Sequence, residues 1–242
     1  MSVYFLHIPR TSGIYISHNV VPHLISGGVP HFVSNRTNID KKVISESKYV
    51  SGHFARFPID LMENPSVYSI IRNPVERYIS YFKYTTGLIR TKDEIYSKLE
   101  SWLYGDKVEI NSNMQSKFLT GTVDHNKFNE DIQINISRDL NHRILPVTNG
   151  WYLKDYSLNI DKIKENIENI NIYTLENHDK FRNDFNEELN KQFGFKTFKN
   201  VDKFNQSFDI GIDLTKKQLS RIEELNQVDI EIYNYVQKIE KK

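Results

Sequence analysis

Residues 2–13, SVYFLHIPRTSG, predict a strand, a turn and the start of a helix at the beginning of the chain. The segment from Ser2 to Ile8 is rich in aromatic and β-branched residues and stops at Pro9, which is typical of a short buried strand. Small and polar residues follow, and apolar residues at helical spacing come next: Ile14, Ile16, Val20, Val21, Leu24 and Ile25. In such a β–loop–α unit the N–H groups of the turn and the helix N-terminus together favour an anion.

Strand and helix patterns alternate along the rest of the chain. Further strands are predicted at Lys48 to Phe54, Ser66 to Ile71 and Asn171 to Leu175, and residues 27–42 are predicted to be loop. Three groups of residues predict helices: the cap pattern Asn73, Pro74 and Glu76; the four-residue repeat of Phe181, Phe185, Leu189 and Phe193; and the capping box of Thr215 and Gln218, which opens one long helix to Ile239. The alternation predicts an α/β fold, a parallel β-sheet flanked by helices in a single domain over 1–242.

Composition excludes several classes of protein. The 242 residues carry a formal net charge of +1 and no Cys, so disulfides and Cys-based metal or nucleophile sites are excluded, and no dedicated nucleic-acid partner is expected. No apolar stretch approaches about 18 residues, so we expect no membrane partner. No basic region with a long apolar run precedes the first strand, which predicts a cytoplasmic protein without a signal peptide.

Two segments place arginines at predicted strand ends. Arg10 lies in the turn after the first strand, and Arg72 ends the buried strand before the helix that carries Ser80. A guanidinium in such a place can bind a phosphate above the sheet, because ligands of parallel sheets lie at the carboxyl ends of the strands. The simpler interpretation is that Arg10 is a surface residue, that Arg72 pairs with a nearby carboxylate and that Ser80 only packs.

Taken together, these segments resemble those of PAPS-dependent sulfotransferases (PAPS is 3′-phosphoadenylyl sulfate), and most closely the carbohydrate (heparan sulfate) 2-O-sulfotransferase-like group. His7-Ile8-Pro9-Arg10-Thr11-Ser12-Gly13 is similar to their 5′-phosphosulfate loop, His-Ile-Pro-Lys-Thr-Gly-Gly, and Arg72-Asn73-Pro74 through Ser80 is similar to their 3′-phosphate segment. The other similar segments follow in the family's order: Ser51-Gly52-His53-Phe54, Asn113-Met114-Gln115 with Leu119-Thr120-Gly121, and Asn205-Gln206-Ser207 with Leu214 to Tyr235.

The resemblance implies a P-loop-like sheet, PAPS as sulfuryl donor, 3′-phosphoadenosine 5′-phosphate (PAP) as product and no metal. It implies that Arg10 lies beside the bridging oxygen of the leaving group and that His53 is the general base. Three groups of cofactor-binding residues follow from it: Arg10 itself; Thr11, Ser12 and Gly13 around the 5′-phosphate; and Arg72 and Ser80 at the 3′-phosphate. The partner would be a carbohydrate or small molecule with a hydroxyl, bound by loops 27–47 and 121–156.

The chain departs from the family pattern in three places. Arg10 replaces Lys, and an arginine stabilises charge but cannot act as a general acid. Ser12 replaces a Gly, which restricts the turn unless its φ is negative. Ile14 and Tyr15 stand where the family has hydroxyl residues that hold the 5′-phosphate.

Alternatives remain open at this point. A catalytically impaired nucleotide- or glycan-binding protein of the same fold would bind PAP without turnover. A P-loop-like kinase is disfavoured because the Walker A spacing, Gly-x-x-x-x-Gly-Lys-Ser/Thr, is absent. Glu46, Asp60 and Glu63 are fallback bases. His7 is interpreted as a sheet-end residue that orients the loop, and Arg56 and Arg77 as solvated surface residues that could still reach a ligand.

Overall fold

A computed structural model describes residues 1–34, 39–86, 91–105, 108–127, 153–198 and 212–241. A five-stranded, all-parallel sheet lies at the centre of the fold. In chain order its strands are β1 (Ser2–Leu6), β2 (His31–Ser34), β3 (Tyr49–Gly52), β4 (Pro65–Ile71) and β7 (Asn171–Thr174). Their order across the sheet is β2-β3-β1-β4-β7, so β1 is the middle strand. A short antiparallel pair, β5 (Thr122–Val123) with β6 (Leu153–Lys154), lies apart from it.

Helices lie between the strands and after the last of them. Those in the described residues are α1 (Gly13–Ser26), α2 (Lys41–Glu46), α3 (Pro74–Thr86), α4 (Lys92–Tyr104), α5 (Val108–Asn111), α6 (Met114–Thr120), α7 (Ile160–Ile167), α8 (His178–Phe193), α9 (Lys216–Leu225) and α10 (Gln227–Ile239), with a 3₁₀ turn at Leu175–Asn177. No helix in the described ranges is long and apolar enough to cross a membrane.

The middle strand shows why the chain folds in layers. All five residues of β1 are buried, and successive side chains point to opposite faces of the sheet. Tyr4 and Leu6 belong to the apolar cluster that includes residues of α3, α6 and α10. Val3 and Phe5 belong to the cluster that includes residues of α1 and α8. The predicted α/β fold, a parallel sheet with helices on its faces, is therefore confirmed.

Two predictions of local structure are wrong. Residues 27–42, predicted to be loop, contain β2, a four-residue strand that pairs with β3 at the edge of the described sheet. The single long helix predicted from Thr215 to Ile239 is two helices, α9 and α10, that meet at Asn226. The break has a tertiary cause: Asn226 accepts a hydrogen bond from the Asn113 amide at 3.2 Å, and its Nδ2 donates to the Ile222 carbonyl at 2.8 Å.

Candidate functional site

The segments that resemble the family motifs leave three adjacent strands at the same edge of the sheet. Residues 7–13 follow β1, His53 follows β3 and residues 72–80 follow β4. β1 pairs with both β3 and β4, with Leu6 opposite Gly52 on one side and opposite Ser69 on the other. The parallel sheet therefore brings together residues that are distant in the sequence.

The turn between β1 and α1 has an unusual backbone. Arg10 and Ser12 have φ values of 70° and 78°, in the left-handed region that favours glycine. Ser12 caps α1 without a side-chain hydrogen bond to the helix, so its hydroxyl does not satisfy the first N–H groups. Ser12 therefore adopts the positive φ that the glycine of the family pattern would adopt without strain. Thr11 is fully buried and donates its hydroxyl to the Ile8 carbonyl at 2.8 Å, which makes it a structural member of the turn.

Arg10 joins the two arginine segments directly. Its Nε donates to the Ser80 hydroxyl at 3.1 Å, and Ser80 is 4% exposed. The guanidinium carbon lies 5.0 Å from the centre of the Tyr84 ring. Burial lowers the pKa of Arg10, Tyr84 opposes that change, and nearby Arg72 lowers it further. Two cations therefore lie at neighbouring strand ends, an arrangement that favours an anion between or beside them.

Arg72 is paired with a carboxylate in this structure. Its Nε and Nη2 atoms donate to Glu76 Oε2 at 3.2 and 3.1 Å, and its side chain is 25% exposed. Asn73 caps α3 as predicted, accepting from the Val75 and Glu76 amides at 3.1 and 3.2 Å. The Glu76 carboxylate, which a capping box would turn towards the Asn73 amide, bonds to Arg72 instead. A phosphate bound by Arg72 would therefore compete with Glu76.

The backbone of Arg72 is fixed by Gln115 of α6. The Gln115 side chain accepts from the Arg72 amide at 2.8 Å and donates to the Arg72 carbonyl at 2.9 Å. Asp229 of α10 in turn accepts from the Gln115 and Ser116 amides at 3.0 and 2.7 Å. A chain of hydrogen bonds thus connects α10, α6 and the carboxyl end of β4.

His53 is buried and oriented by the backbone just after β1. Its Nδ1 lies 2.9 Å from the His7 carbonyl oxygen, and since a carbonyl only accepts, Nδ1 carries the proton and Nε2 is the basic nitrogen of the neutral ring. The ring centres of His7 and His53 are 4.1 Å apart. A Cβ placed on Gly13 would come within 1.8 Å of His7 Nε2. The His7 ring therefore lies close to both Gly13, in the turn after β1, and the His53 ring.

His178, at the start of α8, approaches the turn from the other side. Its Nε2 lies 3.4 Å from the Ser12 hydroxyl, and its ring packs edge-on to Tyr15 with 5.1 Å between the ring centres. Burial lowers the pKa of His178, with a smaller contribution from Arg182. Sequence reasoning missed His178, because no motif links two positions that are 166 residues apart.

Several residues weighed from the sequence lie elsewhere. Arg77, interpreted as a solvated surface residue, is fully buried, and its Nη2 donates to the Asn111 carbonyl at 3.3 Å. That interpretation is wrong because helix α3 turns Arg77 towards α5 and α6. Glu46 and Glu63 precede β3 and β4, so they lie at the amino ends of the strands, away from His53. Arg56 is partly buried and Asp60 is exposed in the segment between β3 and β4.

Other predictions lie outside the described residues. The Asn205-Gln206-Ser207 segment is one of them, and so is most of the predicted acceptor loop 121–156. Tyr84 and the amide of Gln115 were not singled out as contacts of the arginines from the sequence. Tyr84 had one usable signal: it follows Ser80 by one helical turn, and residues four apart share a helix face.

No protein-family model matches this chain, and no curated protein is significantly similar to it in sequence.

Proposed function

We propose that this chain is a PAPS-dependent sulfotransferase of P-loop-like fold, which transfers a sulfuryl group to a hydroxyl of a carbohydrate or small-molecule acceptor. The observation that carries the proposal is the 3.1 Å contact between Arg10 and Ser80, which unites the two motif segments at one edge of the sheet. A chance resemblance in either segment alone would not require them to meet.

The donor set fits a nucleotide with two anionic groups. At the turn, Ser12, Arg10 and the N-terminus of α1 offer donors to a 5′-phosphosulfate. At the end of β4, Arg72 and Ser80 offer donors to a 3′-phosphate. PAPS would supply an activated sulfuryl group there, and its product PAP keeps both anionic positions.

The residues also have the chemistry that sulfuryl transfer requires. His53 Nε2 is the basic nitrogen and would accept the proton of the acceptor hydroxyl as its oxygen attacks. Arg10 would stabilise the negative charge that develops on the leaving phosphate oxygen, since a guanidinium remains cationic at neutral pH. Catalysis of this kind consists mostly of positioning and charge stabilisation.

A second candidate is a binding protein of the same fold without turnover. Ile14 favours it, because this residue is 38% exposed at the start of α1 and offers no hydroxyl where the family has one. Such a protein would bind PAP and show no sulfuryl transfer to any acceptor.

Calorimetric titration with PAP, with 5′-AMP as the control ligand, tests the proposal. We expect micromolar binding that requires the 3′-phosphate. Arg72→Ala should weaken PAP binding by about 2–3 kcal/mol, the scale of a lost charged hydrogen-bonding pair. Arg221→Ala is the matched control, because Arg221 of α9 bonds to Leu103 of α4 and to Glu224 of α9, in a different part of the fold. Folded protein that binds neither ligand would contradict the proposal.

A further inference from the structure

An exposed aromatic side chain lies directly against Arg10. Tyr84 is 40% exposed, although it belongs to α3, whose neighbouring Tyr78 and Tyr81 are buried. Its ring lies under the Arg10 guanidinium, with 5.0 Å from the guanidinium carbon to the ring centre. The contact is not needed for the apolar core.

Two contacts from one helix face hold the Arg10 side chain. Ser80 and Tyr84 are four residues apart on α3, so they lie one above the other on the same face. Ser80 accepts the Nε proton at 3.1 Å, and the guanidinium carbon lies over the Tyr84 ring, 5.0 Å from its centre. Two contacts from one helix face together restrict the rotation of the guanidinium.

The pair of Arg10 and Tyr84 also suits an arginine better than a lysine. A guanidinium is flat and stacks on aromatic rings, whereas an ammonium is a compact and strongly hydrated charge. Arg10 stands where the resembled family has Lys, and Tyr84 supplies the surface that an arginine uses. The replacement of the family's Lys by Arg10 is therefore accompanied by an aromatic partner, Tyr84, on α3.

From these contacts we infer that Tyr84 is a positioning residue, whose ring fixes the Arg10 guanidinium beside Ser80 so that the arginine can take over the role of a lysine at the donor phosphosulfate. The role at the phosphosulfate rests on the proposed function. The positioning itself concerns only the residues of this chain and can be measured without any substrate.

The first test is the exchange of the Arg10 Nε proton with water, measured by NMR on the whole protein. A proton that donates to a buried hydroxyl under an aromatic ring is protected. Tyr84→Leu should accelerate its exchange by about 3- to 10-fold, the range expected for the loss of a cation–π contact at a partly exposed site. An unchanged exchange rate would overturn the inference.

The matched control is Tyr104→Leu. Tyr104 is 48% exposed at the end of α4, and Arg221 lies over its ring at 5.6 Å, so it forms the same kind of pair in a different part of the fold. This variant should leave the Arg10 proton unchanged. Equal acceleration in both variants would point to a general loss of stability and would also overturn the inference.

The second test is a double-mutant cycle on sulfuryl transfer. With Tyr84 present, Arg10→Lys should lower kcat about tenfold, because lysine cannot stack in the same way. In the Tyr84→Leu background the same change should cost little, while KM for PAPS changes less than kcat. Strictly additive effects would overturn the positioning role. Absence of transfer and of PAP binding in the wild type would contradict the proposed function instead, and the proton-exchange result would still decide the inference.

Discussion

The His53 ring is oriented through its Nδ1 atom, which donates to the backbone just after β1. The His7 carbonyl fixes Nδ1 at 2.9 Å, and the His7 ring lies against the imidazole with 4.1 Å between ring centres. Orientation of a base by a backbone acceptor defines its tautomer without adding a charge to the site. The arrangement supports His53 in preference to Glu46 or Glu63, which lie at the opposite edge of the sheet.

The proposed role of His53 as general base predicts that its loss affects turnover and leaves PAP binding intact. His53→Ala should lower kcat for sulfuryl transfer by about 10²- to 10⁴-fold, the usual contribution of a general base. PAP affinity should stay within about twofold, because the donors of that ligand are other residues. Steady-state kinetics and calorimetry on the same preparation measure both quantities. His23→Ala, in the last turn of α1, is the control, and retained turnover in His53→Ala would place the base elsewhere.

Gly13 has a steric requirement that depends on His7. An added Cβ would come within 1.8 Å of the His7 ring, so Gly13→Ala should reduce the free energy of unfolding by about 1–3 kcal/mol, the usual cost of overpacking. In a His7→Ala background the three nearest ring atoms are absent, and the same change should cost much less. Urea unfolding of the four proteins in this cycle measures the difference. Equal losses in both backgrounds would show that the His7 ring is not the obstacle.

At the scale of elements, α6 and α10 are tied to the end of β4 by a buried carboxylate. Asp229 is 1% exposed and accepts from Ser116 Oγ at 2.6 Å as well as from two backbone amides. Burial raises the pKa of Asp229, although these hydrogen bonds and nearby Arg77 oppose the change. The folded protein therefore binds a proton at this carboxylate more tightly than the unfolded chain does.

This direction predicts how stability changes with pH. A raised pKa in the folded state gives a contribution that is fully present below the unfolded value, about 3.9 for Asp, and is lost as pH rises through the folded value. The stability advantage of the wild type over Asp229→Asn should therefore be largest near the acidic end and decrease towards neutrality. Urea unfolding of both proteins across this range measures the difference. An advantage that grows with pH would mean that the charged form is the stabilised one.

Elements dominated by local pattern were predictable, and elements that depend on distant partners were not. The turn from β1 to α1 follows from apolar runs and helical spacing, and the face of α8 follows from Phe181, Phe185 and Leu189, which are all fully buried. The edge strand β2 has only four residues and gains its identity from pairing with β3. The break at Asn226 depends on Asn113, which is 113 residues away in the sequence.

At the scale of the molecule, the candidate site is assembled by the order of the strands in the sheet, and this order could not be predicted from the sequence. Motif resemblance named Arg10, Arg72, Ser80 and His53, but it could not show that β1 lies between β3 and β4. It also missed Tyr84 and His178, since neither belongs to a motif and both contact the turn only after folding. The motifs thus pointed to the polar side chains of the candidate site more readily than to the residues that contact them after folding.

The register of β1 on β4 fixes the distance between the two segments that follow these strands. Leu6 lies opposite Ser69, and hydrogen-bonded strands keep a spacing of about 4.8 Å, so the turn after β1 and the segment after β4 cannot drift apart independently. Under the proposed assignment, each of these segments holds one anionic group of the same nucleotide. The site would then select a ligand mainly by the distance between its two anionic groups, and the identity of the base would matter less. Nucleotides that crowd both phosphates at one end should be rejected by backbone geometry alone.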